Sequence, residues 1–394
     1  MRSALALSAL ALAATVLAAR ADLVFNVTLD YDQERDHASV KSSIEDLARH
    51  LQHGVGQPVR LVLTQNAERV GERVRTGQFD VLLAPPHIVG LAMRHHYEPV
   101  ARSQNKTQVV LVARPDVRVA SLNEARNREV VLPHRESLVS YMVRGELNAM
   151  GTTPARHFGS VHYMQRYAAV LYAMDIGQAE LAAVKGDVLR EWNARGHQAR
   201  IVQTLAETPQ AGVAVRDQLD ARTKDAIQRA FVNLPAELKT RLVRAGLASE
   251  YVHATSRDFE HVSTRGYFTP EVLPGATIVT AHQVRDLMTK GVPLYDVRPP
   301  SHYRQGHIPK SINVPYELNS PKEPDADLSV DRIDLTKLPK DKNTPLIVQC
   351  NGAECWYSYK AAAYLIKQGY TRVHWFRTGL PAWKEAGFPI EHDT

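Results

Sequence analysis

The chain has 394 residues, with 48 Lys and Arg against 42 Asp and Glu and a formal charge of +6. That length exceeds the ~250 to 300 residues at which single cores stop growing, so more than one domain is expected. Basic and acidic residues are interspersed rather than clustered with aromatics, which argues against a nucleic-acid footprint and leaves at most a mild attraction for small anions.

The first 21 residues read as an export leader. Arg2 precedes an apolar run from Ala4 to Ala19, and Ala19-Arg20-Ala21 forms a small-residue cleavage site before Asp22. The run falls short of the ~20 apolar residues of a membrane span. No later stretch is apolar enough to cross a membrane, so an exported, soluble protein is expected, with an uncleaved anchor as the plain alternative.

From Asp22 to Gly246, strand-like apolar runs alternate with segments of helical period. "LVFNVTL" precedes "SVKSSIEDLARHLQHG", "VRLVLT" precedes "NAERVGERVRTG", and "DVLLAPP" precedes a further helical stretch. This order predicts a parallel sheet covered by helices. A second set follows: "EVVLPH", a helix from about Ser137 to Met150, "SVHYM", "RYAAVLYAMDIG" and "ELAAVKGDVLREW". Between the sets, "TQVVLVARP" is a strand placed to cross from one lobe to the other. Two α/β lobes with a crossing connection predict a hinged, clam-like domain holding a small ligand.

The succession "YDQERDHASVKSSIEDLARHL", "GQFDVLLAPP", "YEPVARS", "SLNEARNREVVLP" and "AAVLYAMDIGQAELAAVKGDVL" resembles the phosphonate/phosphite-type periplasmic substrate-binding family of ABC transporters, over about residues 22 to 245. The resemblance implies a two-lobed periplasmic-binding-protein fold and a periplasmic location. It also implies a small phosphonate-, phosphate- or sulfur-oxyanion-like ligand, and an ABC permease or a sensor as partner. In open α/β sheets, ligands sit beyond the carboxyl ends of strands, where helix N-termini offer free N–H groups to anions. Those ends carry Asp30 with Tyr31, Thr64 to Asn66, Pro86 with His87, His134 to Ser137, His162 with Tyr163, and Lys185 to Asp187. Tyr31, His87, His134, Ser137, Ser140, His162 and Asp187 are the candidate ligand contacts. Where the family places small hydroxyl residues and glycine, "HRESLVS" leaves hydroxyls at Ser137 and Ser140 in a bulkier site. For each histidine a hydrogen-bonded or solvated loop role is the plainer reading, and His95-His96 reads as surface. His87, His134 and His162 come from separate loops without ligand spacing, so no metal is expected there.

Residues 247 to 275, "LASEYVHATSRDFEHVSTRGYFTPEVLPG", are polar with aromatic and proline punctuation and read as a linker able to pack on either domain. A second domain, 276 to 394, then opens with a helix capped by Thr280, the strand "PLYDVR", the turn "GHIP" and the short strand "SINVP". "TPLIVQC" is a buried-type strand ending at Cys350. After it, Ser358 is placed to cap a helix, "YKAAAYLIKQ", that stops at Gly369, and "YTRVHWF" is a further strand. The alternation predicts a three-layer α/β domain with a parallel sheet.

Asp296-Val-Arg298, Tyr303 with Gly306-His-Ile-Pro309, Ile312-Asn-Val-Pro315, the strand-terminal Cys350, Gly369-Tyr370, and Gly379 with Ala382-Trp383 together resemble the rhodanese (sulfurtransferase) family across 276 to 392. A cysteine at a strand end, inside a loop leading to a helix N-terminus, has its thiolate stabilised by backbone N–H groups. It can take sulfane sulfur as a persulfide. Cys350 is thus the candidate nucleophile, and Asn351, Gly352, Ala353, Glu354, Trp356, Tyr357 and Ser358 form its loop with Cys355. Asp296 with Arg298 reads as a buried structural pair, His307 as structural, and Trp375 and Trp383 as packing.

The loop departs from the family pattern. It carries no basic side chain, it holds Glu354, and Ser358 falls two residues late. A thiosulfate dianion would therefore lean on backbone N–H groups alone. Cys355 reads three ways: disulfide partner of Cys350, resolving thiol that discharges a persulfide, or inert buried thiol. Two cysteines without a histidine in the loop do not make a zinc site, and neither domain requires a cofactor.

Three functions remain open. The first is a periplasmic sulfurtransferase working through a Cys350 persulfide, with a sulfur donor, a thiol acceptor or reductant, and an oxyanion in the N-terminal cleft. The second is an anion-binding transport or sensory protein with an inactive rhodanese domain. The third is a thiol-disulfide redox protein using Cys350 and Cys355.

Overall fold

The computed structural model describes residues 22–30, 37–64, 67–150, 152–263 and 269–393. The leader segment and Tyr31 lie outside them. Among the described residues, no helix is long and apolar enough to cross a membrane.

The N-terminal half forms two lobes, each built on a mixed sheet. In the first, strands run in the order Tyr251–His253, Tyr97–Ser103, Gly212–Arg216, Val81–Ala84, Leu23–Thr28, Val59–Thr64. In the second the order is Arg200–Thr204, Val109–Ala113, Leu181–Lys185, Glu129–Pro133, Ser160–Met164. A wholly parallel sheet was expected. The mixture arises because the chain crosses between lobes twice, near 104–108 and 205–211, and each crossing feeds a strand antiparallel to its neighbours. Lys106–Thr107 and Thr208–Pro209 pair antiparallel at this crossing.

Period-2 alternation assigns the faces of the first sheet. Phe25, Val27, Val81, Leu83, Val213 and Val215 pack against the helices His37–Val55, Ala221–Val232 and Ala236–Arg244. Leu82, Ala84 and Ala214 face the other way, into a core shared with Pro86–Met93 and the second lobe. The stretch read as a linker is partly built into the first lobe. Tyr251–His253 is its edge strand, and buried Phe259 and Val262 join the shared core.

The C-terminal domain has a parallel sheet in the order Ala276–Ile278, Val373–Phe376, Leu346–Gln349, Leu294–Asp296, Ile312–Asn313. Its central strand is buried on both faces, as parallel sheets require. Leu346, Val348 and Cys350 face Tyr359, Ala362 and Trp375, while Ile347 faces Val284, Phe376 and Trp383. Thr280 caps the first helix, Ala281–Thr289, in a reciprocal capping box with Gln283.

This domain touches both lobes. Glu323 meets Arg135 at 2.7 Å, and Asp325 meets Arg156 at 3.2 Å and Thr153 at 3.1 Å, all on the second lobe. Its cysteine-bearing loop reaches the first lobe through Glu354.

Candidate functional site

Cys350 follows the central strand Leu346–Gln349 and is 1% exposed. The loop turns through Gly352 (φ +111°) and enters the helix Trp356–Lys367 at Cys355. The structure joins Cys350 to Cys355 as a disulfide, with Cα atoms 6.0 Å apart. Leu380 donates its N–H to the Cys350 carbonyl at 3.0 Å. Gly379 (φ +53°) lies so close that a Cβ there would meet that carbonyl oxygen at 2.1 Å, so only glycine lets the following turn approach. The Cys355 N–H is already spent on the Gly352 carbonyl at 2.9 Å.

Ser358 does not cap the helix. The cap position is Cys355, and Ser358 lies inside the first turn. Its hydroxyl donates to the Cys355 carbonyl at 3.3 Å and accepts from Trp375 Nε1 at 3.1 Å. Trp356 and Ser358 are buried, whereas Tyr357 and Asn351 are half-buried.

The cations missing from the loop come from elsewhere. Arg298 binds Asp296 through Nε at 2.9 and 3.0 Å and through Nη2 at 2.5 Å. It also donates to the Gly306 carbonyl at 2.9 Å and to Asn351 Oδ1 at 3.0 Å. Arg377 donates to the Thr269 carbonyl at 2.8 Å, and Thr269 in turn gives both its N–H and its hydroxyl to the Ala353 carbonyl at 2.8 Å. Glu354 takes Arg94 at 2.5 Å, His95 at 3.2 Å and Arg75 at 3.5 Å, with its own side chain 7% exposed. Burial pushes the Glu354 carboxyl up, but the hydrogen bond and charge of His95 with the charges of Arg75 and Arg94 outweigh it and hold the carboxyl below its ordinary value. His95 is therefore half-buried between domains, not plain surface. His307 stacks on Tyr303 at 3.9 Å, and its Nδ1 lies 3.1 Å from the Tyr303 carbonyl, which gives it a place in the turn's packing.

Lys360, one turn beyond Trp356, has no exposed surface. Its ammonium stands 5.9 Å over the Trp356 ring without a hydrogen-bond partner among the described residues. Burial brings its amine down to about 8, against the opposing pull of Asp331, Glu323 and Asp325. Lys360→Met keeps the volume and removes an unmatched polar group, so stability at neutral pH is expected to rise by about 1–3 kcal/mol. Thermal denaturation reads the change; a lowered melting temperature would show that the ammonium is matched.

The cleft between the lobes holds a second constellation. Asp30 follows the strand Leu23–Thr28, and its carboxylate reaches across to the second lobe. It takes Lys185 Nζ at 2.8 Å, the Leu138 N–H at 3.2 Å and the Tyr167 hydroxyl at 3.4 Å. Burial pushes the Asp30 carboxyl up, but the Lys185 ammonium and then His87 outweigh it and hold it at about 2. The chain's own carboxylate thus accepts from an N–H group at the start of helix Leu138–Ala149. Beside it lies a cavity of about 120 Å³ lined by Thr28, Asp30, Thr107, Lys185, Asp187 and Gln210, among others.

The predicted cleft residues fall in different places. Asp187 lines the cavity. His87 is buried at the lobe interface, with Nε2 3.2 Å from the Glu136 carbonyl and its ring beside Tyr141. Ser137 caps its helix by accepting the Ser140 N–H at 3.2 Å, and the Ser140 hydroxyl is spent on the Pro133 carbonyl at 2.8 Å. His134 accepts the Glu136 N–H at 3.2 Å within its own turn. His162 stands exposed on an edge strand against Ser160 and does not line the cavity. Lys185 was visible only as one of many polar strand ends; its side chain's choice of Asp30 depends on lobe packing.

Burial drives the His87 imidazole from 6.5 down to about 4, against the pull of Asp30. Between those values the unfolded chain holds more protons than the folded one, so stability falls as pH is lowered through that window. The Asp30 contribution is lost only lower, as pH falls from 3.8 toward about 2. His87→Gln is expected to flatten the pH dependence of melting between 6.5 and 4, by up to about 1.4 kcal/mol per pH unit. An unchanged profile would mean that His87 does not titrate as a buried neutral group.

Comparison with known proteins bears on both halves. Residues 31–259 match the family described as ABC transporter, phosphonate, periplasmic substrate-binding protein, and residues 280–386 match the rhodanese-like domain. A sulfurtransferase of Allochromatium vinosum is 36% identical over 103 residues, which are 26% of this chain and 80% of that protein. Thiosulfate sulfurtransferase 18 of Arabidopsis thaliana is 31% identical over 116 residues, 28% of this chain and 81% of its own. Among solved structures, a Xanthomonas citri protein bound to ATP has a TM-score of 0.51 at 16% identity, covering 61% of this chain and 95% of that one. That last likeness is one of fold.

Proposed function

The chain belongs to the family of phosphonate-type periplasmic substrate-binding proteins of ABC transporters and ends in a rhodanese-like domain, and from that premise we propose that it is an exported sulfurtransferase. In this reading a binding domain for a small oxyanion is joined to a Cys350 persulfide centre. The observation that carries it is the position of Cys350, beyond the central strand and in a loop that enters a helix. In the reduced loop, the Cys350 thiolate attacks the outer sulfur of a donor such as thiosulfate, a thiosulfonate or polysulfide. A new S–S bond forms, the donor's S–S bond breaks, and the leaving group, sulfite for thiosulfate, departs with the bonding pair. Cys355 then attacks Cys350 Sγ, displaces the outer sulfur as hydrosulfide and closes the disulfide, which a dithiol reductant reopens.

The Cys350–Cys355 bond also favours a second reading, a thiol-disulfide redox protein. One experiment separates the two. The reduced chain carrying Cys355→Ser is incubated with thiosulfate, polysulfide or a thiosulfonate, and intact mass is searched for added sulfur on Cys350, with released sulfide measured in parallel for wild type. No adduct from any donor, with the Cys350 thiol free, removes the sulfur-transfer reading. Loss of two hydrogens by wild type with no sulfide released supports the redox one.

For the cleft, the same proposal has a small oxyanion seated near Lys185 and Leu138, in exchange for the Asp30 carboxylate or beside it. A thermal-shift screen of phosphonates, phosphate, sulfonates and sulfur oxyanions tests this. Absence of stabilisation by every one of them removes the oxyanion assignment. Periplasmic residence and an ABC permease or sensor partner follow from the family and are part of the proposal.

A further inference from the structure

The rhodanese loop carries no basic side chain from Cys350 to Ser358. Yet three basic groups of the other domain stand against its Glu354. Arg94 Nε lies 2.5 Å, His95 Nε2 3.2 Å and Arg75 Nη2 3.5 Å from the Glu354 carboxylate. Glu354 is the neighbour of Cys355, whose sulfur is bonded to that of Cys350, so the three groups converge on the residue next to the reacting pair. Their partner is a carboxylate, a planar oxyanion carried on the loop that the disulfide closes. Arg75 and Arg94 keep 29% and 39% of their side chains exposed, so an anion from solvent can reach them.

The geometry points to Arg75, Arg94 and His95 as the anion subsite of the Cys350 centre, supplied by the binding domain. Glu354 fills it while the loop is disulfide-linked, and a small oxyanion takes it when the loop is reduced. Guanidinium forks suit planar and tetrahedral oxyanions. The subsite explains how a loop without its own arginine can receive an anionic sulfur donor, and in that respect it rests on the sulfur-transfer reading. It also explains the acidic residue in a loop meant for anions, because Glu354 stands in for the ligand.

Two alkylating probes of equal reach test the subsite without sulfur chemistry. Iodoacetate is an anion and iodoacetamide is neutral; with either, the Cys350 thiolate forms a C–S bond and iodide leaves with the C–I pair. The measurement is the ratio of their rates at Cys350, by mass, in the reduced full chain carrying Cys355→Ser. Arg75→Gln with Arg94→Gln is expected to lower the iodoacetate-to-iodoacetamide ratio about tenfold, as for the loss of a charge-assisted hydrogen bond. Glu354→Gln, which frees the cations and keeps the loop's shape, is expected to raise it. Ratios unmoved within about twofold in both variants would overturn the subsite. Shifted ratios in a chain that takes no sulfur from any donor would keep the subsite and remove the sulfur-transfer reading. Persulfide formation with unmoved ratios would do the reverse.

Discussion

Arg298→Met is expected to destabilise the C-terminal domain by about 3–5 kcal/mol, because it leaves the Asp296 carboxylate buried and without its partner. Asp296 has no exposed surface and Arg298 is 3% exposed. The guanidinium also satisfies the Gly306 carbonyl and Asn351, so one substitution strips three acceptors. Asn313 holds the strand's backbone by donating to the Asp296 and Arg298 carbonyls, but it cannot replace the charge. Melting of this domain should fall by more than about 10 °C, given about 4–8 °C per kcal/mol for a domain near 100 residues. The paired change Asp296→Leu with Arg298→Met should recover much of the loss, since removing both charges removes the desolvation problem. A drop below about 1 kcal/mol in the single variant would place the pair among weakly coupled surface bridges. Circular dichroism during heating, with limited proteolysis to separate the domains, gives the measurement.

The second large effect concerns the cysteines. With reduced protein and a sulfane donor, wild type should release sulfide and end as the Cys350–Cys355 disulfide. Cys355→Ser should instead retain the added sulfur on Cys350, because no neighbouring thiolate can displace it. Cys350→Ser should lose transfer by roughly a thousandfold or more, as for removal of an enzymic nucleophile. Sulfide released by Cys355→Ser as fast as by wild type would exclude Cys355 as the resolving thiol. Cys355 is the bonded partner of Cys350 in this structure, so the thiol nearest to hand for displacing the sulfur is already inside the loop.

Much of this was legible in the residues. The aliphatic run before Cys350 declares a buried strand, and Thr280 declares a capped helix. Local signals misled where a distant group intervened. Serine is a good helix cap, yet Ser358 sits inside the helix, where its hydroxyl oxygen accepts the Trp375 indole N–H. Glu354 looked out of place in an anion loop because its partner His95 lies 259 residues away. Asp30 resembled the other polar strand ends until Lys185 and the Leu138 N–H closed on it. In each case the chain pattern states the element, and only three-dimensional packing states which charge meets which.

The C-terminal domain is fastened to the first lobe at Glu354 and to the second at Glu323 and Asp325. A body attached to both lobes is a splint between them. Its attachment to the second lobe is the exposed one, and each exposed ion pair resists separation by only about 0–1 kcal/mol. Salt screens such pairs, with a Debye length of about 8 Å at physiological ionic strength. Ionic strength therefore loosens the attachment to the second lobe before the buried one at Glu354.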